Sequence, residues 1–422
     1  MNLDTPSSSI APLDLSKWRH APILLMAVGG IGAGIGARAC GTRQFAFSWL
    51  VAFMFYLSLC LGSWFLVMMH HLFDASWSVP TRRFCEHLAC LAGWPMLLLF
   101  LPIALLAPEI YDWMGKLGHP DHALQAKFPL FTMRGYYIVA AVCFAVWWFF
   151  SNRLRHWSLE QDKTGAALCT RRMRFYSAVG IIKFALTLTL AAILWMKALM
   201  YEWASTMYGV WYFAGSVWVT LATVYVITLI LQRTTALRDL ARERTYYMIA
   251  SLLFAFTVFW AYISFSQYFI IWNANMPEET FWYVLREQGT WWFTGAIVLI
   301  FGHFFMPFLA LLRIDVKLKL AAMLPICAWA WLMHWVDLEF QIMPSLHENG
   351  VFTFTFPFLT GGLLVDAACM MFMGGFLAML FLGSLHRHPV YPLKDPRMAE
   401  AVEIYVPPAG ALAIAPEHAN EH

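Results

Sequence analysis

Charge is what this chain has least of. Only 13% of its 422 residues are Asp, Glu, Lys or Arg, roughly half the share of a soluble domain. That shortage excludes a water-soluble globular protein of this length. The formal net charge is +3, and no basic stretch is interleaved with aromatics, which excludes a nucleic-acid partner. Cysteine is sparse and unpatterned. Most of the eight lie within apolar runs (Cys60, Cys90, Cys143, Cys327, Cys369), and none forms Cys-x-x-Cys or Cys-x-x-Cys-His. Iron–sulfur ligation and covalent haem attachment thus have no local signal, and the chain is expected to carry no redox centre of its own. A haem held non-covalently by two histidines needs no such motif and stays open. Gly29, Gly30, Gly32, Gly34 and Gly36 do not match a dinucleotide fingerprint, and no strand precedes them. No small-residue cleavage site follows the first apolar run, which is expected to be kept as a helix.

What is present is apolar: 61% of the residues are hydrophobic and 17% aromatic. Runs of spanning length fall at about 21–39, 44–72, 86–108, 131–151, 174–199, 206–231, 246–273, 289–312, 318–338 and 355–384. The expected fold is an all-α integral membrane protein of ten helices. Residues 1–20 form a polar N-terminal segment, 21–384 the membrane domain and 385–422 a tail expected to lie along the surface or a partner. Pro95 and Pro102 should kink the third helix. The glycines of the first helix suit close packing against another helix in lipid. With ten spans both termini share a side. That side and its loops carry roughly 20 Lys and Arg, against roughly 7 opposite, so both termini are expected in the cytoplasm. Glu109, Asp112, Glu278, Glu279, His347 and Glu348 then fall on the far side.

Ionisable groups at membrane depth are costly and serve as site candidates. One cluster closes the second helix: His70, His71, then Arg82, Arg83 and Glu86. His and a carboxylate beside arginine suit a mouth for proton uptake; headgroup contacts and a Glu86–Arg82 helix cap are the plainer alternative. A deeper set comprises His303, His334, Asp337 and Asp366, with Lys183 inside the fifth helix. His334 and Asp337, three apart, share a face, and Gln341 follows by four. Together they suit a proton relay or a polar quinone pocket. As isolated residues, the histidines read as hydrogen-bonded core groups and Lys183 as a snorkelling cation. A third stretch, 259–280 (FWAYISFSQYFIIWNANMPEET), carries Tyr262, Ser266 and Asn273 on one helical face, with Gln267 beside it. Polar side chains at this depth are expected to point into the bundle, although Tyr268 and Trp272 also suit an interfacial belt.

That stretch, together with HHLFDASWSVPTRRFCE (70–86) and FGHFFMPFLALLR (301–313), resembles the NrfD-like membrane subunits of bacterial alternative complex III, most of all the second, ActF-type subunit. The resemblance covers most of residues 44–345. It implies two four-helix bundles, helices 2–5 and 6–9, flanked by helices 1 and 10. It further implies a subunit of a quinol-oxidising respiratory complex in the bacterial cytoplasmic membrane, not catalytic alone. Expected partners are iron–sulfur and multihaem cytochrome c subunits, which hold the clusters and haem c. A second NrfD-like subunit, small membrane subunits and a terminal oxidase complete the set. A quinone or lipids would be its own ligands. The chain departs from the family where Leu194 precedes Trp195 in place of an acidic residue, and where Glu202 stands for a histidine, which would move the protonatable group to Glu202. Two other readings suit ten spans with internal charge. One is a secondary transporter, though no paired Gly/Pro interruptions are visible. The other is a haem b anchor using His303 and His334.

Overall fold

The computed structural model describes residues 20–234, 237–238, 240–287, 289–347 and 361–401. Residues 1–19, 348–360 and 402–422, which hold most of the expected N-terminal segment, Glu348, the start of the expected last helix and the end of the tail, lie outside them. Every regular element among the described residues is helical. Ten helices there are long and apolar enough to cross a membrane, as expected. They are α1 (His20–Ala39), α2 (Thr42–Phe73), α3 (Ser76–Leu105), α4 (Met133–Thr164), α5 (Ala167–Met200), α6 (Tyr208–Arg233), α7 (Glu243–Ala274), α8 (Trp291–Leu311), α9 (Leu320–Leu346) and α10 (Gly362–Arg387).

The sequence explains where helices stop. Asp74, Gly165 and Asn275 adopt left-handed backbone (φ 51°, 67° and 48°) after α2, α4 and α7. Each turns its N–H back onto the preceding helix, onto the carbonyls of His70, Gln161 and Ile271. The third helix breaks at residues 91–93, and Pro95 opens its second segment, where a missing N–H costs nothing. α4 and α5 run well past their apolar stretches into a helical hairpin. Arg153, Arg155, Lys163, Arg171, Arg172 and Arg174 therefore ride on helix, not loop. Residues 273–286 are likewise not a plain loop. Pro277–Arg286 is a helix with Pro277 in its first turn and Glu278 and Glu279 facing its positive end.

Packing follows from which helices are apolar all round. α2 is buried from Ala46 to Trp64, and α6 is nearly as enclosed, so both form the centre. α2, α3, α4 and α5 close one ring; α6, α7, α8 and α9 close a second in the same order, and α2 packs on α6 where they meet. α1 and α10 flank this pair. Their contact depends on glycine: a Cβ at Gly29 would lie 2.3 Å from Phe372 N, and one at Gly36 would lie 2.4 Å from Val365 Cγ2. The other side of α1 is apolar and exposed (Leu24 65%, Ile31 66%), as a lipid-facing helix requires.

Candidate functional site: a polar core in the second bundle

α9 carries His334, Asp337 and Gln341 at spacings of three and four, all on the face turned toward α6. They fit because α6 has Gly215 there. A Cβ at that position would meet His334 Cε1 at 2.9 Å and Nδ1 at 3.1 Å. From α8, His303 enters the same space on a π-helical stretch, Thr294–Phe305, a geometry that recurs at functional sites. Its ring lies between two indoles, Trp218 of α6 at 4.0 Å and Trp260 of α7 at 3.7 Å between centroids. Trp260 also donates its Nε1–H to Asp337 Oδ2 (3.2 Å), and Gln341 Nε2 donates to the same oxygen (3.1 Å). Trp218 is fixed by a 2.8 Å bond to Thr257 Oγ1. Ser58 reaches across from α2 to His334 Nε2 at 2.9 Å.

His303, His334, Asp337 and Gln341 are at most 2% exposed. Several of their polar atoms have no protein partner: both His303 nitrogens, His334 Nδ1, Asp337 Oδ1 and Gln341 Oε1. One atom each from His303, His334 and Asp337 lie within 4.8 Å of one another. Tetrahedral ligands with bonds of about 2.1 Å stand about 3.4 Å apart, so an ion would need a tighter set. Two hydrogen bonds of about 2.8 Å to one oxygen span about 4.6 Å, which matches the reach seen. The set suits a shared water or proton better than a metal. A haem is also a poor fit: indoles cover both faces of His303, and Asp337 stands close to both histidines.

Gln341 ties this core to one face of the protein. Arg286, from Pro277–Arg286, donates to the carbonyls of Phe340 (2.9 Å) and Gln341 (2.8 Å) and packs on Trp282 at 3.4 Å. Burial lowers its pKa to about 9, with Tyr208 and Tyr283 pulling it back up, so it is charged at neutral pH. It caps the end of α9 that bears Asp337.

The second cluster sits at the opposite, Lys/Arg-rich face and is a closed ion-pair network. Arg82 pairs with Glu86 (3.2 Å) and with Asp395, and bonds Ser158 and Gln161 (3.2 Å each). Arg83 pairs with Glu86 (3.2 Å) and Asp162. Ser78 Oγ gives its hydrogen to Ala75 O (2.9 Å), so it accepts from His70 Nδ1 (2.7 Å); His70 Nε2 then accepts from Arg397 (3.2 Å). His70 thus has no free lone pair. His71 is buried beside it, ring centroids 4.9 Å apart, with no partner for either nitrogen. Sequence reading missed Asp395 and Arg397, because nothing in a patternless tail marks residues that fold back onto α2 and α3.

Asp395 ties that tail down. Burial alone would raise its pKa; the Arg82 charge and the Arg397 backbone N–H, which donates to Asp395 Oδ1, outweigh it and hold the carboxyl well below its usual range. A carboxylate depressed in this way stabilises the docked tail above roughly pH 4 and loses that effect as pH falls further. We expect amide exchange over residues 390–401 to quicken as pH drops below about 4, after correction for intrinsic rates. In Asp395→Asn it should rise about tenfold or more at pH 7. Equal exchange in both proteins at pH 7 would mean that other contacts hold the tail.

The remaining candidates do not join either cluster. Lys183 is exposed on the outer surface of α5. Asp366 of α10 faces Glu339 of α9, a carboxylate that sequence reading passed over, close enough for their charges to interact. Gln267 is buried with no partner for its amide. Most of the polar face expected to look inward does not: Tyr262 is 64% exposed and Asn273 is exposed. Ser266 is half-buried with its hydroxyl donated to the Ile263 carbonyl (3.2 Å), and Gln267 beside it points in. Tyr268 and Trp272 are exposed, as an interfacial belt would be. Glu202 also stays outside the bundles. It accepts from Tyr201 (2.9 Å) and lines a cleft of about 630 Å³ with Asp112, Lys116 and Thr280.

Fold and site together define a multi-pass, all-helical membrane protein with a buried His–His–Asp core. No family model matches the chain, and no curated protein matches it either.

Proposed function

We propose that this chain is an ActF-type, NrfD-like membrane subunit of bacterial alternative complex III. It would sit in the cytoplasmic membrane with both termini inside, as the Lys and Arg distribution favours. It carries no redox centre; iron–sulfur and multihaem cytochrome c subunits move the electrons from quinol to cytochrome c or a similar acceptor. A second NrfD-like subunit, small membrane subunits and a terminal oxidase are its other partners. Quinone or lipid would be its own ligand. Its contribution is structural support and proton transfer through the second bundle. The two-ring arrangement and the three matching strings support the assignment.

One observation carries the proton-handling half: His303, His334 and Asp337 meet in mid-membrane with lone pairs that no protein donor meets. Groups placed so can take up and hand on a proton; groups tied off by backbone cannot. The test is Asp337→Asn in the complex purified intact. Haem-coloured partners should copurify, and the rate of quinol oxidation, with the proton release tied to it, should fall about tenfold or more. Unchanged turnover with unchanged proton release leaves only a scaffold. A chain that purifies alone favours a transporter.

A further inference from the structure

Ser58 stands on α2 of the first bundle, yet its side chain belongs to the core of the second. A serine hydroxyl has one hydrogen. Ser58 Oγ lies 2.6 Å from the Phe55 carbonyl oxygen, which can only accept, so the hydrogen goes there. The same Oγ lies 2.9 Å from His334 Nε2 and can only accept from it. Nε2 therefore carries the ring hydrogen, and Nδ1, which has no protein partner, keeps its lone pair.

We propose that Ser58 is a positioning residue that fixes His334 as its Nε2–H tautomer and leaves the Nδ1 lone pair to the core. Nδ1 and the Asp337 carboxylate border the same notch at Gly215, at 3.1 and 3.9 Å from where a Cβ would stand. The Phe55 ring, 5.4 Å from the imidazole, packs beside it from the same turn of α2. The arrangement has a direction. A proton reaching Nδ1 leaves the Ser58 bond intact, because Nε2–H donates in both the neutral and the charged ring. It cannot continue through Nε2 into α2, since Ser58 has no lone hydrogen to hand on without breaking its bond to Phe55. His334 is thus the end of the core, not a link to the first bundle, and a proton must return toward Asp337 or His303. This meaning rests on the proton-handling role proposed above; the tautomer does not.

The test reads the tautomer itself. Ring-¹⁵N-histidine is introduced into the whole complex, and the His334 signal is identified by its loss in His334→Gln. At neutral pH the hydrogen-free nitrogen should be Nδ1. Ser58→Thr should keep that state. Ser58→Ala, which leaves Nε2–H without an acceptor, should move the tautomer ratio about fivefold or more. A wild-type ring with its hydrogen on Nδ1 overturns the proposal, as does an unchanged ratio in Ser58→Ala. If Ser58→Ala does not assemble, the wild-type spectrum alone decides. No turnover is needed, so a failed relay and a failed tautomer assignment are told apart.

Discussion

An Arg82→Met protein should lose about 3–5 kcal/mol of stability, among the largest single effects expected here. The guanidinium is enclosed, and so are the carboxylates of Glu86 and Asp395 that it faces. Removing it strands charge that has already left water. Arg83 still serves Glu86, and Arg397 still reaches Asp395 at 3.8 Å, which keeps the loss within that range. The network as a whole is another matter, since apolar residues of similar volume can replace a buried ion pair at little loss. Arg82→Met combined with Glu86→Leu and Asp395→Leu should therefore recover much of the stability lost. Thermal unfolding in detergent checks both. A single variant that melts with the wild type would mean that the network contributes little.

Gly62→Leu should be as damaging for a steric reason. Gly62 is where α2 crosses α6, and a Cβ there would lie 2.2 Å from Thr220 Oγ1 and 2.5 Å from the Ser216 carbonyl. The second contact is backbone, so no rotamer change relieves it. Overpacking of a close-packed interior costs about 1–3 kcal/mol and more where main chains must separate. Ser58 lies one turn earlier on the same face of α2, so the His334 contact should loosen too. Gly34→Ala, with nothing within 4 Å of the added carbon, is the control and should stay within about 0.5 kcal/mol of wild type. Equal melting of the two variants would contradict the crossing described.

The ten spans were legible because an apolar run of that length has few alternatives to a helix in lipid. Their ends were less so. α9 looked finished near residue 338, where Asp337, Glu339 and Gln341 interrupt the run, yet it continues to Leu346, with Asp337 and Gln341 buried against protein. His334 and Asp337 stood out through their spacing. Trp218, Trp260, Ser58 and Gly215 did not, since such residues are ordinary in membrane helices. What sets them apart is helix rotation and the seam between the two rings, and neither is written locally. The misread of Tyr262 and Asn273 has the same root: periodicity puts residues on one face without saying which way it looks.

The glycine face shared by α1 and α10 bears on how the protein is made. α1 is matched to α10, with eight spans separating the two in the chain, and its other side is apolar and exposed. Throughout synthesis of the eight helices between them, α1 waits beside a growing assembly that it barely touches. The two rings can close from their own contacts, but the outer brace snaps shut only when α10 arrives.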